Sequence, residues 1–161
     1  MHLAKAMLCV ALMSSVAPAR AATPAATKPT YDAALAKRVG ADARGMRHYV
    51  LVILKTGPAP MPKGSARDEM FKGHFANIGR LAKDGKLALA GPFDANADGW
   101  RGLFLLAVDT VDEARTLTQT DPVIRNGEMI AEYHPWYGSA AAMLLPELHT
   151  SVEAPAAAAA R

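Results

Sequence analysis

The chain has 161 residues, 51% of them apolar and 20% charged, which is enough for one packed domain and excludes both a disordered chain and a polytopic membrane protein. It carries 18 basic and 15 acidic residues. Two of the basic ones, Lys5 and Arg20, sit in an N-terminal leader, so the remainder is close to neutral and lacks the basic stripe that a nucleic-acid partner requires.

Lys5, the apolar run from Ala6 to Ala17 and the small-residue site Ala19-Arg20-Ala21 follow the order of a secretory signal peptide. Residues 1–21 are therefore expected to be removed before Ala22, giving a periplasmic or secreted protein. A run this short does not cross the ~30 Å of a bilayer core as a helix, so no membrane association is expected after cleavage. Cys9, the sole cysteine, goes with the leader. That leaves no thiol nucleophile, redox pair or thiolate metal site.

Residues 22–29, rich in Ala, Thr and Pro, read as a linker. Thr30 reads as an N-cap, with Tyr31, Leu35 and Val39 at helical spacing, which predicts an appended helix over 30–45. The run Tyr49 to Leu54 predicts a strand over 46–55 that is apolar on both faces, ended by the Gly57 to Pro62 cluster. Over 67–84 the residues Met70, Phe71, Phe75, Ile78, Leu81 and Ala82 fill one arc of about 140° on a helical wheel, and Gly85 caps the helix. Strands follow at 87–93 and 101–108, joined by a polar tip holding Asp94, Asn96, Asp98 and Gly99. A second helix over 109–120, a strand over 128–133 closed by His134-Pro135, and a last helix over 140–148 complete the pattern. Residues 149–161 read as an alanine-rich disordered tail.

The order strand, helix, strand, strand, helix, strand is that of an α+β, ferredoxin-like βαββαβ plait, here with an extra N-terminal helix and a short C-terminal one. Two helices cover one face of a four-stranded sheet. The first and third strands are apolar at both parities, so the second face needs a partner, and a homodimer is expected.

His74 projects from inside the apolar arc of the first long helix. One reading is a core histidine satisfied by a hydrogen bond; the other is a titratable group aimed at a site. Asp121-Pro122 has the form of an N-cap followed by proline at the first helical position. The tip Asp94-x-Asn96-x-Asp98-Gly99 matches the first half of a calcium loop, but Leu105 stands where the bidentate glutamate belongs, which leaves an ordinary hairpin tip. His48, His74, His134 and His149 share no zinc-ligand spacing, and no metal site is expected. His134-Pro135-Trp136-Tyr137 supplies aromatic bulk for a pocket or an interface. Serine-hydrolase, Walker and dinucleotide motifs are absent from the sequence.

The set His74-x-x-x-Ile78-x-x-Leu81-x-x-x-Gly85-Lys86-Leu87-x-x-Ala90-Gly91-Pro92, followed by Glu113-Ala114, Asp121-Pro122 and Gly127, resembles the YciI-like, or YCII-related, family. The resemblance runs from about Met46 to Tyr137, within a domain taken as 46–148. It implies a dimeric α/β barrel similar to muconolactone isomerase, with a histidine–aspartate pair as its active site. His74 and Asp121 fill those two positions. One branch of the family resembles a dehydrochlorinase acting on hydroxylated chloroaromatics. The leader and residues 30–45 depart from the typical cytosolic member, so a cytosolic substrate is not carried over.

The resulting expectation is a proton-transfer enzyme of lyase or isomerase type, needing no cofactor and acting on a small organic molecule. His74 is the general acid/base, Asp121 its support, and Arg47, His48 and Trp136 candidate pocket residues. The competing class is a non-catalytic dimeric module that binds a small molecule. Haem binding, known for related dimeric barrels, finds no iron ligand singled out here.

Overall fold

The computed structural model describes residues 30–154. The expected signal peptide, the linker and residues 155–161 of the expected tail lie outside the described residues. Four antiparallel strands form one sheet in the order β2-β3-β1-β4, built from β1 (Met46–Thr56), β2 (Leu87–Pro92), β3 (Trp100–Leu106) and β4 (Met129–Ser139). With α2 (Ser65–Lys83) after β1, and α3 (Val111–Thr118) and α4 (Pro122–Arg125) after β3, this is the ferredoxin-like plait.

The two-residue period of a strand divides β1 between two cores. Val50, Val52 and Leu54 face the helices and pack with Met70, Leu81, Phe104, Leu106, Val123 and Met129. Tyr49 and Leu51 face the other way, with Ala88, Leu105 and Ala107. Helix α3 starts with a full capping box between Thr110 and Glu113, which satisfies two otherwise orphaned amides.

The boundaries depart from expectation in three places. The appended helix is only α1 (Ala33–Arg38), capped by Asp32 and not by Thr30. The residue that caps its C-terminus, Val39, is buried, and the Arg47 guanidinium donates to the Val39 carbonyl at 3.0 Å, which docks α1 on the start of β1. Strand β4 does not stop at His134-Pro135; it pairs with β1 as far as Ser139. As an edge strand it tolerates Pro135, because one side of its backbone has no ladder to complete.

The C-terminal segment is a 3₁₀ turn, Ala140–Leu144, followed by α5 (Leu145–Val152), so helix extends into the expected tail. Ala142 and Met143 of the turn pack, as Leu51 does, on the cluster of Tyr49, Ala88, Leu105 and Ala107. The chain thus covers one end of the second sheet face itself. What stays uncovered there is smaller than the sequence implies and includes Leu89, Ile130 and Trp136, each 44% to 50% exposed.

Candidate active site

Helix α2 crosses the sheet with Gly73 against α4: a Cβ at Gly73 would lie 3.1 Å from the Pro122 side chain. This close approach brings the neighbouring residues of both elements together. His74 Nδ1 lies 2.8 Å from Asp121 Oδ2, with His74 7% and Asp121 0% exposed. The other carboxylate oxygen, Oδ1, accepts the Val123 amide at 3.1 Å. Capping and histidine support are therefore one arrangement, with one oxygen serving each.

Asn77, one turn after His74, donates its side-chain amide to Asp121 Oδ2 at 3.4 Å. Its carbonyl oxygen accepts from Arg80 at 2.7 Å and Thr120 at 2.9 Å, which fixes the amide orientation. The Asp121 carboxylate thus accepts from three side-chain and backbone groups and is held in one rotamer.

His74 lines a cavity of about 490 Å³ between α2 and the sheet, with Phe71, Phe75, Phe104, Pro92 and Arg101 among the other walls. That volume suits a small organic molecule. Phe104 stacks on the imidazole at 6.0 Å, and the Phe71 ring stands edge-on at 5.9 Å. Phe75, expected in the core, is 64% exposed and borders this cavity. With Nδ1 turned to Asp121, Nε2 is the free ring nitrogen. Among the described residues it has no hydrogen-bond partner, yet no side-chain nitrogen there is both buried and unpaired, so Nε2 is accessible from outside the protein interior.

Arg101 reaches this cavity through an irregularity in the sheet. The pairing of β1 with β3 shifts between Leu54 and Lys55, so that Leu54 opposes Gly102 and Lys55 opposes Trp100. Arg101 is the extra residue of this bulge, and a bulge re-aims the side chain it carries. Next to it, Glu128 is 1% exposed. Its carboxylate accepts from the Met61 amide at 2.6 Å and from Arg67 at 2.7 Å; Arg101 lies 3.6 Å away. Burial pushes the Glu128 carboxyl up, but the Met61 and Arg67 hydrogen bonds and the charges of Arg67 and Arg101 outweigh it and hold the group below the usual carboxylate range.

The other expected pocket residues lie elsewhere. Arg47 is committed to Val39 and stands over the Tyr49 ring. His48 packs against Tyr137 at 5.1 Å. Trp136 packs against Tyr49 at 5.5 Å and lies so closely over Gly138 that a Cβ there would meet the indole. These three sit at the far end of β1 and β4, and none lines the His74 cavity. Sequence reading missed Asn77, Arg67, Arg101 and Glu128. Only Asn77 left a signal, a polar residue three positions after His74 on an apolar helix face.

The hairpin tip is organised by Asn96, which bonds the Asp94 and Trp100 carbonyls and the Trp100 amide. Among the described residues no group of three or more His, Cys, Asp or Glu side chains is placed to hold a metal ion, and no helix is long and apolar enough to cross a membrane.

No curated protein matches the chain. A solved structure of 5-chloro-2-hydroxyhydroquinone dehydrochlorinase (TftG) from Burkholderia phenoliruptrix AC1100, in complex with 2,5-dihydroxybenzoquinone, is 20% identical with a TM-score of 0.37, over 54% of this chain and 92% of that one. The profile of the YCII-related domain matches residues 46–136, more than half of the sequence, and the chain belongs to the YCII-related family.

Proposed function

We propose that this protein is a lyase or isomerase that moves a proton on a small organic molecule, with His74 as general acid/base and Asp121 as the group that positions it. The observation that carries the reading is the 2.8 Å contact from His74 Nδ1 to Asp121 Oδ2 on a ring that lines an apolar cavity. Asp121 Oδ2 accepts this hydrogen bond, so the neutral imidazole keeps its proton on Nδ1 and presents the Nε2 lone pair to the cavity. Nε2 then removes a proton from a C–H of the substrate. The electron pair left behind either expels a leaving group from the adjacent carbon, as in a lyase, or is reprotonated by the same imidazolium at another carbon, as in an isomerase. The apolar walls exclude water and strengthen the attraction between imidazolium and Asp121. Export through the leader and assembly as a homodimer through the uncovered sheet face complete the proposal. The first is supported by the residue order of the leader, the second by the exposed Leu89, Ile130 and Trp136.

A panel of small carbon acids incubated with the protein in D₂O and followed by proton NMR tests the chemistry. Exchange of a C–H with the wild-type protein, reduced about 10²- to 10⁴-fold in His74→Gln, is the expected result. An exchange rate equal in His74→Gln and wild type contradicts it.

A further inference from the structure

Among the described residues that line the His74 cavity, His74 and Arg101 are the only two with side chains that titrate or carry charge. Arg101 arrives there because the sheet is bulged at its position, a local irregularity that an ordinary ladder residue does not need. Its guanidinium is also underused. Among the described residues nothing accepts a hydrogen bond from it, and its sole acidic neighbour, Glu128, lies at 3.6 Å. Glu128 is already engaged by the Met61 amide and Arg67, and Arg67 is further held over the Phe71 ring at 4.5 Å. Two guanidiniums around one carboxylate leave a surplus positive charge, and Arg101 is the member that faces the cavity.

From this we infer that Arg101 is the anion anchor of the site, and that the molecule bound beside His74 is a small, flat, largely apolar monocarboxylate. A guanidinium presents paired N–H donors in a plane that matches a carboxylate, and a charge-assisted bond of this kind is strong where water is partly excluded. The flat shape follows from the walls, since Phe71, Phe75, Phe93 and Phe104 surround the space and aromatic faces receive planar groups best. Glu128 acts through Arg101 as a positioning residue: it holds the guanidinium at the cavity without saturating its donors. The inference rests on the His74 cavity being the working site, and it orients the substrate by fixing its carboxylate at Arg101.

Benzoate and its neutral isostere benzamide serve as probes, titrated into the purified protein by calorimetry and by NMR of the histidine ring signals. Benzoate is expected to bind at least tenfold more tightly than benzamide, with His74 ring signals shifting on binding. Arg101→Gln is expected to erase that preference, with benzoate affinity falling to the level of benzamide, and Arg101→Lys to restore part of it. Weakened benzoate binding at raised salt is also expected. Equal affinity for the two probes in the wild-type protein, or an undiminished preference in Arg101→Gln, overturns the inference. C–H exchange by the wild-type protein separates this result from the proton-transfer reading: a carboxylate preference that depends on Arg101 in a wild-type protein that exchanges no C–H supports the anchor while the catalytic reading fails, and equal affinity for the two probes in a protein that does exchange C–H overturns the anchor alone.

Discussion

At the scale of single residues, the site depends on two pairs of adjacent residues: Gly73 and His74 on one element, Asp121 and Pro122 at the start of another. Gly73 lets α2 approach Pro122, and the approach sets the 2.8 Å contact between the residue after Gly73 and the residue before Pro122. A bulky replacement at Gly73 therefore acts on chemistry before stability. Gly73→Leu gains helix propensity of about 1 kcal/mol but pushes the elements apart. Loss of His74 alignment is expected to slow C–H exchange by about 10²-fold, with a melting temperature near that of the wild type; an unchanged exchange rate would refute the alignment role. His74 and Asp121 were legible in the sequence because a histidine on an apolar helix face and an Asp-Pro step are both conspicuous. Arg47, His48 and Trp136 misled for the opposite reason: polar and aromatic residues at a strand end look alike whether they line a pocket or dock an N-terminal helix, and here they do the latter or pack on neighbours.

At the scale of elements, strands and helices followed from hydrophobic period, which is the strongest local signal. The bulge that turns Arg101 inward had no such signal, because register between β1 and β3 is set by contacts nearly fifty residues apart in the chain. Glu128 was hidden likewise: it reads as a polar residue before a strand, and only tertiary contact supplies Arg67 and Arg101. This cluster ties the loop after β1, the start of α2 and the start of β4. Because the folded Glu128 carboxyl titrates below its unfolded value, its contribution is present above the unfolded carboxylate range and disappears as pH falls through the depressed folded value. Glu128→Gln is therefore expected to destabilise the protein by about 2 kcal/mol at pH 7, given charge-assisted bonds to a buried acceptor. Urea unfolding at pH 7 and at progressively lower pH checks this. The gap between variant and wild type should narrow on acidification, and a gap independent of pH would contradict the ion-pair account.

At the scale of the whole molecule, the expected need for a partner was read from two apolar faces on β1 and β3, and the structure moderates it. The 3₁₀ turn after β4 supplies part of the cover, a role that five small or apolar residues following an aromatic strand end do not announce. The exposed remainder carries the dimer proposal. Intact mass and light scattering of exported protein are expected to give a chain starting at Ala22 and a dimer. Ile130→Glu, which places a charge on this face, should yield a monomer with His74 chemistry intact. A monomeric wild-type protein, or a chain retaining Met1, would contradict this part. The proposed chemistry needs Asp121 to hold the His74 proton on Nδ1 and leave Nε2 free for substrate. Long-range ¹H–¹⁵N NMR of the histidines, assigned with His74→Gln, measures that directly. Neutral His74 is expected to show a protonated, pyrrole-like Nδ1 and a pyridine-like Nε2, a preference lost in Asp121→Asn. A neutral His74 protonated on Nε2 would contradict it.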